Sequence, residues 1–140
     1  MLNLKQHLLT YTYFIDNEYL EKYCILVERH TNTPIRRGKT NSHHIIPKVL
    51  FKLLNQSVDN SLANLVNLPY REHILAHYYL CLCTRDELLF ANELALICLL
   101  SRKKVSSVDK QLILHLPLYN NICEDYKLKK KSNYKLYKED

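Results

Sequence analysis

Two pairs of histidines carry the residue types and the spacing for metal chemistry. His73 and His77 stand four positions apart in the run HILAH (73–77). On a helix, residues at this spacing project from one face about one turn apart. Imidazole nitrogen is a good ligand for divalent transition metals. The spacing therefore predicts that His73 and His77 bind a single cation.

The second pair, His43 and His44, is adjacent in SHHIIPK (42–48), which reads as the start of a short strand. Neighbouring residues of a strand point to opposite sides, so the two imidazoles can hardly do the same job. One of them can complete the metal site while the other stays free. A free neutral imidazole beside a metal is suited to general-base catalysis, because its ordinary pKa lies near working pH. The pair predicts one ligand and one base.

A longer pattern surrounds these histidines. The stretches HHIIPK and DNSLANLVNLPYREHILAHYYL, within residues 42–80, resemble the ββα-metal core of the HNH endonucleases, particularly the small phage and mobile-element members. The resemblance lies in an HH pair, an Asn nine positions before a His, and a second His four positions further on. It implies a metal-dependent DNA endonuclease that hydrolyses phosphodiester bonds and leaves 5′-phosphate and 3′-hydroxyl ends.

The resemblance also implies a role for each motif residue. His44 corresponds to the general base that activates water, and Asn64 to the residue that pins the β-hairpin and helps to orient the base. His43 falls where the family usually has a metal ligand. His73 corresponds to the final motif histidine and His77 to the extra helical ligand of the colicin-type branch. One divalent cation is therefore expected on these last three residues.

The identity of the cation and the use of the site stay open at this point. Neutral imidazoles suit Zn²⁺, Ni²⁺ or Mn²⁺ better than Mg²⁺, which prefers carboxylate oxygens. Many relatives nevertheless work with Mg²⁺, so Mg²⁺ or Mn²⁺ is expected in catalysis. The alternatives to an endonuclease are a non-catalytic, zinc-stabilised DNA-binding module and a colicin-like nuclease toxin with an immunity partner.

Basic residues near the motif predict an anionic partner, with DNA as the first candidate. The formal net charge is +6. Arg37, Lys39 and Lys48 flank the motif and are expected to neutralise phosphates. Arg71, within the motif helix, is a further candidate. Solvated surface charge is the alternative for each of them.

The C-terminal segment is the second basic feature. Residues 127–140 hold six Lys and two acidic residues, so most of the net charge lies there. Residues 126–138 interleave Tyr with these Lys, which is typical of a flexible arm that binds nucleic acid. A solubilising tail is the alternative.

The elements that must position these residues form a single domain over 1–140, of the α+β class and mostly helical. The ββα-metal motif is expected between N- and C-terminal helices. Hydrophobic periodicity and capping residues predict helices over 17–30, with Asn17 as N-cap, over 70–83, and from 85 to 100. Short strands are predicted at HHII (43–46) and NLVNL (64–68), loops at 31–42 and 55–61, and helical pieces around Pro117. The predicted parts are an N-terminal helical part (1–34), the ββα-metal core (38–82), helical support (84–125) and a basic tail (126–140).

The remaining features of the sequence concern the cellular location of the protein. The N-terminus lacks the apolar run of a signal peptide, and no uncharged stretch approaches the length of a membrane span. Five cysteines without a CxxC pair indicate a reduced environment without a disulfide framework. The expected location is the cytoplasm of a bacterial or phage-infected cell, with no membrane partner. The oligomeric state stays open.

Overall fold

The computed structural model describes residues 3–102 and 106–132. Over this part of the chain the structure is mostly helical, with a small antiparallel sheet of two strands. The predicted α+β, mostly helical class is confirmed at this level. Within the same residues, no helix combines the length and apolar character needed to cross a bilayer.

The elements follow one another along the chain in the order of their labels. The N-terminal half contains α1 (Leu4–Leu9), α2 (Glu18–Arg29), β1 (Thr40–His44), α3 (Lys48–Leu53), a 3₁₀ turn (Leu62–Asn64) and β2 (Leu65–Pro69). The C-terminal half contains α4 (Tyr70–Cys83), α5 (Asp86–Leu100), α6 (Ser107–Leu114) and α7 (Tyr119–Lys131).

The longer helices form where periodicity and caps predict them. Asn17 caps α2, because its side-chain oxygen accepts hydrogen bonds from the backbone N–H groups of Tyr19 and Leu20. The helix predicted over 70–83 is confirmed as α4. The helix predicted from 85 to 100 is confirmed as α5, with Asp86 and Glu87 in its first turn. The region around Pro117 forms α6 and α7 on either side of the proline.

The sheet differs from its prediction at both ends of β1. Thr40 pairs with Pro69 and His44 with Leu65, so β1 begins inside the predicted loop 31–42. Backbone pairing with β2 overrides the weak strand propensity of these polar residues. The strand ends after His44, because the backbone N–H and carbonyl groups of Ile46 form hydrogen bonds with the side chain of Asn64.

A short helix, α3, lies between the two strands where no helix is predicted. It begins directly after Pro47 and buries Val49, Leu50 and Phe51. Six residues are too few to show helical periodicity, and tertiary packing supplies most of the stability of so short a helix. The predicted loop 55–61 follows it.

The core is built around α4. This helix packs against α2 and the sheet on one side and against α5 on another. Leu80 belongs to the apolar cluster shared with α2 and β2, and Ile74 belongs to the cluster shared with α5, α6 and α7. Because α4 is enclosed by neighbours, even its polar residues His73 and His77 are buried. All five cysteines are free thiols.

The basic C-terminal segment begins within α7 rather than as a flexible arm. Tyr126 is buried, and its ring stacks on Phe90 of α5 with 5.2 Å between the ring centroids. Nζ of Lys129 donates a hydrogen bond to Oε1 of the buried Glu93 side chain at 3.0 Å and lies 2.8 Å from the carboxylate of Asp125. The prediction of a flexible arm from residue 126 is therefore wrong for 126–131. Residues 133–140 lie outside the described part of the chain.

Candidate metal centre and its cleft

Three buried histidines converge between β1 and α4. His43 extends from β1, and His73 and His77 extend from one face of α4. Their ring centroids form a nearly equilateral triangle with sides of 5.2, 5.1 and 5.0 Å. Each ring offers a nitrogen that lies within 4.8 Å of the other two. Three imidazoles are therefore close enough to bind one metal ion, as the spacing of the histidines predicts.

The hydrogen bond of His43 to α2 fixes which of its ring nitrogens is available. The Tyr23 hydroxyl lies 2.8 Å from Nε2 of His43 and donates its own hydrogen to the carbonyl of Ile45 at 2.7 Å. Because that hydrogen is already used, the hydroxyl must accept from Nε2–H of His43. The lone pair of His43 therefore lies on Nδ1, which is free to bind a metal. Such a partner on the far side of a ligand ring orients the ring and selects its tautomer.

His73 has the opposite tautomer. Its Nδ1 lies 3.0 Å from Oδ1 of Asn41, which can only accept, so Nδ1 carries the hydrogen and Nε2 carries the lone pair. Asn41 lies two residues before His43 on β1 and therefore faces the same side of the strand. One strand thus carries one candidate ligand and also orients a second candidate ligand on α4.

The third histidine, His77, lies near Asn92 of α5. Among the described residues, neither Nδ1 of His77 nor Oδ1 of Asn92 has a well-formed hydrogen bond, although both atoms are buried. The side chain of Asn92 nevertheless lies near enough to raise the pKa of His77 against the effect of burial.

The protonation state of the cluster suits metal binding. Burial, followed by the mutual repulsion of the rings, lowers the pKa of His43 and of His73 well below the ordinary value. Burial lowers the pKa of His77 to about 4. All three imidazoles are therefore neutral at pH 7, which is the form that binds metal. Tetrahedral coordination at Zn–N distances of about 2.0–2.1 Å would draw the nitrogens to about 3.3 Å apart. The donor set fits one divalent transition-metal ion.

His44, the last residue of β1, lines the same cleft but stands apart from the triangle. Its Nε2 lies 2.8 Å from Oδ1 of Asn60, so Nε2 carries the hydrogen and Nδ1 keeps its lone pair. Asn60 belongs to the loop after α3. The sequence gives no signal for Asn60, because its contact with His44 depends on how that loop folds back over the strand.

Asn64 ties that loop to the end of β1. Its buried side chain accepts a hydrogen bond from the backbone N–H of Ile46 at 2.8 Å. Its amide donates to the carbonyl of Asp59 at 2.9 Å and to that of Ile46 at 3.3 Å. The side chain therefore holds together the segment after His44 and the segment that carries Asn60. Asn64 thus bonds to the residue two positions after His44 and to the residue directly before Asn60.

The predicted phosphate-binding residues separate into two groups. Lys48, the first residue of α3, lines the cleft. Arg37 and Lys39 are exposed in the turn before β1 and do not line it. Arg71 pairs with Asp109 of α6 at 3.0 Å.

The cleft has a volume of about 530 Å³ and a second basic residue that sequence reasoning missed. Arg102, just after α5, lines it on the side of His73 and His77. After burial, the positive charge of Arg102 is a further cause of the lowered pKa of both histidines. No Asp or Glu is found among the described residues that line the cleft. The cleft is therefore electropositive even before a cation binds.

Comparisons with protein-family models, with curated proteins and with solved structures give no match to this chain. The functional argument therefore depends on the geometry of the site.

Proposed function

We propose that the chain is a metal-dependent endonuclease that hydrolyses DNA phosphodiester bonds. One observation carries the proposal. Three buried, neutral imidazoles (His43, His73 and His77) lie beside a fourth, His44, which lines the same cleft and whose Nε2 is held by Asn60. A metal-ligand set next to an oriented base is the arrangement that metal-assisted hydrolysis requires.

The order of the elements supports an HNH-type ββα-metal core within this proposal. Strand β1 carries His43 and His44, β2 pairs with it in antiparallel fashion, and α4 follows β2 directly with His73 and His77. Asn64 stands at the start of β2 and bonds across the hairpin. In this chain α3 is inserted between the two strands.

The proposed mechanism assigns the chemistry to named atoms. A divalent cation, when bound by the three histidines, stabilises negative charge on the phosphate and on the departing oxygen. His44 accepts a proton at Nδ1 from the attacking water, while Asn60 holds the ring through Nε2–H. The water oxygen forms a bond to phosphorus as the bond from phosphorus to the 3′ oxygen breaks. The products carry 5′-phosphate and 3′-hydroxyl ends.

The nitrogen ligands determine which cation the site should prefer. Three neutral nitrogen ligands favour Zn²⁺, Ni²⁺ or Mn²⁺ over Mg²⁺. We therefore expect Mn²⁺ to support cleavage at lower concentration than Mg²⁺.

A zinc-stabilised DNA-binding module is the second candidate function. The observation in its favour is that the ligands are all histidines and nearly inaccessible, with 3%, 8% and 4% of their surfaces exposed. Structural zinc sites are closed in this way, whereas catalytic sites keep a position open for water. The adjoining cleft and the oriented His44 favour the enzyme.

Incubation with supercoiled plasmid separates the two candidates. The protein is incubated with Mg²⁺, Mn²⁺, Zn²⁺ or Ni²⁺, with and without chelator. We expect nicked or linear plasmid that chelator abolishes, and no product from His44→Ala. His115→Ala, which removes an exposed imidazole from the end of α6, is the matched control and should cut normally. Metal-dependent DNA binding without any cut by the native protein would favour the binding module.

A further inference from the structure

The depth of the metal cluster restricts how a substrate can reach it. The three ligands are more than nine-tenths buried, so a cation on them would lie at the floor of the cleft. A phosphate oxygen must come within about 2.0–2.2 Å of a cation to bind it. The scissile phosphate must therefore enter between the walls instead of lying across an open surface.

One wall of the cleft is apolar. It consists of residues from α5 that share one side of the helix: Ala91, Leu94, Ala95, Cys98 and Leu99. This wall cannot swing aside easily, because α5 packs along α4 and is also held to α7 by the Phe90–Tyr126 stack. The substrate must therefore offer an apolar surface to α5, since an apolar wall cannot replace the water lost from a charged or polar group.

The same helix is poorly suited to the groove of a duplex. Between Asp86 and Leu100 it contains three acidic residues and no Lys or Arg. Groove-binding helices use basic and amide side chains for phosphates and base edges. In a duplex the apolar faces of the bases are stacked on one another, so α5 would meet mainly sugar and phosphate. An unpaired nucleotide, by contrast, exposes a base face that can pack against Leu94 and Ala95, which are both partly exposed in the cleft.

Two basic residues outside this apolar wall also line the cleft. Lys48 lies on the wall formed by the end of β1 and the start of α3, and Arg102 lies beyond the last turn of α5. A positively charged groove with an apolar surface along it is the combination that binds single strands, because phosphates follow the charges while bases pack on the surface.

We propose that the cleft binds an unpaired nucleotide, with its phosphate above the three histidines and its base against α5. The substrate is then single-stranded or locally unpaired DNA. This inference concerns the substrate class and rests on the proposed endonuclease function.

The test compares one labelled oligonucleotide of mixed sequence in three forms: as a single strand, in a full duplex, and in a duplex with a central unpaired segment. Cleavage rates are measured with Mn²⁺, and dissociation constants are measured by fluorescence anisotropy in chelator. We expect the single strand and the unpaired segment to be preferred by about tenfold or more, the affinity equivalent of one base contact. Equal or faster cleavage of the full duplex, or equal affinity for it, would overturn the inference.

A variant pair tests the role of the wall. Ala95→Phe fills the cleft and should reduce both cleavage and binding of the single strand. Ile97→Phe introduces the same ring into α5 at a position that does not line the cleft, and should change neither. Metal binding and thermal melting of both variants report whether the fold is retained. Equal binding by a folded Ala95→Phe protein would contradict a site against α5.

The two proposals fail in different ways. Chelator-independent preference for single strands without any cleavage would overturn the endonuclease and support the substrate class. Metal-dependent cleavage that favours the full duplex would support the endonuclease and overturn the substrate class. Absence of both binding and cleavage would overturn both.

Discussion

The Tyr23 hydroxyl of α2 accepts a hydrogen bond from Nε2 of His43 at 2.8 Å and donates one to the carbonyl of Ile45 at 2.7 Å. Tyr23 has no exposed surface, so water cannot replace it. This one hydroxyl joins α2 to β1, the strand that carries the candidate metal ligand His43. It also fixes the tautomer that His43 presents to a cation.

Tyr23→Phe should therefore weaken metal binding without removing a ligand. The substitution leaves two buried polar groups unpaired and frees His43 to change tautomer. Loss of such a partner typically lowers metal affinity by about 10- to 100-fold. Competition titration with a chromophoric chelator measures the change. Tyr19→Phe, on the same helix, is the control, and equal affinities in the two variants would contradict the role of Tyr23.

Substitution of each of the two adjacent histidines should have a different effect on metal binding and cleavage. His44→Ala should retain the metal and near-normal DNA affinity while cleavage falls by about 10²- to 10⁴-fold, the usual contribution of a positioned general base. His43→Ala should instead lose metal, and excess cation should restore part of the cleavage because water can occupy the vacant position. Calorimetry and cleavage assays on both variants measure the two effects. Metal loss in His44→Ala with retention in His43→Ala would reverse the roles.

Arg102 should contribute to substrate binding. Arg102→Ala should raise KM more than it lowers kcat, because Arg102 lines the cleft and its charge can attract a phosphate without taking part in proton transfer. The slope of log affinity against log salt should decrease by about one, as expected when one phosphate contact is lost. Arg29→Ala removes the same charge from the exposed end of α2, outside the cleft, and should leave the slope unchanged. A parallel decrease in both variants would indicate only long-range attraction.

A buried carboxyl group between α5 and α7 predicts a dependence of stability on pH. Burial, together with a hydrogen bond to Asp125, raises the pKa of Glu93 to about 8. Although burial raises the pKa of Asp125, hydrogen bonds from Glu93 and Lys129 lower it overall. Asp125 therefore carries the charge opposite Lys129 while Glu93 keeps its proton at neutral pH.

Proton binding by Glu93 determines whether the free energy of unfolding rises or falls with pH. The folded protein holds a proton on Glu93 that the unfolded chain releases near the ordinary carboxyl pKa, so the free energy of unfolding decreases as pH rises toward about 8. Urea unfolding of the metal-free protein between about pH 7.5 and 8.5 measures this, because this range lies above the ordinary histidine pKa of about 6.5. Glu93→Gln should flatten the profile. An unchanged slope in the variant would contradict the assignment.

Local signals account for the elements that were predicted correctly. Asn17 caps α2 through its own side chain, and the apolar spacing of α4 is visible within the helix itself. The meeting of His43 with His73 and His77 was predicted from helical spacing, strand alternation and the HNH resemblance together. Each of these requires only knowledge of residues close in sequence, or of a pattern already described for a family.

The features that were missed depend on contacts between distant parts of the chain. Tyr23 lies 20 residues before His43 and meets it only when α2 packs on α4. Arg102 enters the cleft because α5 folds back along α4. The many Lys of 126–131 gave no indication that Tyr126 packs on Phe90 or that Lys129 pairs with Asp125, because composition does not reveal which side of a helix is buried.

The ligands of the candidate centre lie on both sides of the loop that joins α3 to the 3₁₀ turn, with His43 before it and His73 and His77 after it. A protease cut in this loop between Gln56 and Ser57, two exposed residues, would divide the chain into two fragments, each holding part of the site. Metal would then act as a bridge between fragments. We expect the nicked protein to elute as one species in size-exclusion chromatography with Zn²⁺ and to separate more readily with chelator. If the chain is expressed as two halves, their reassembly should then indicate that the cation is present.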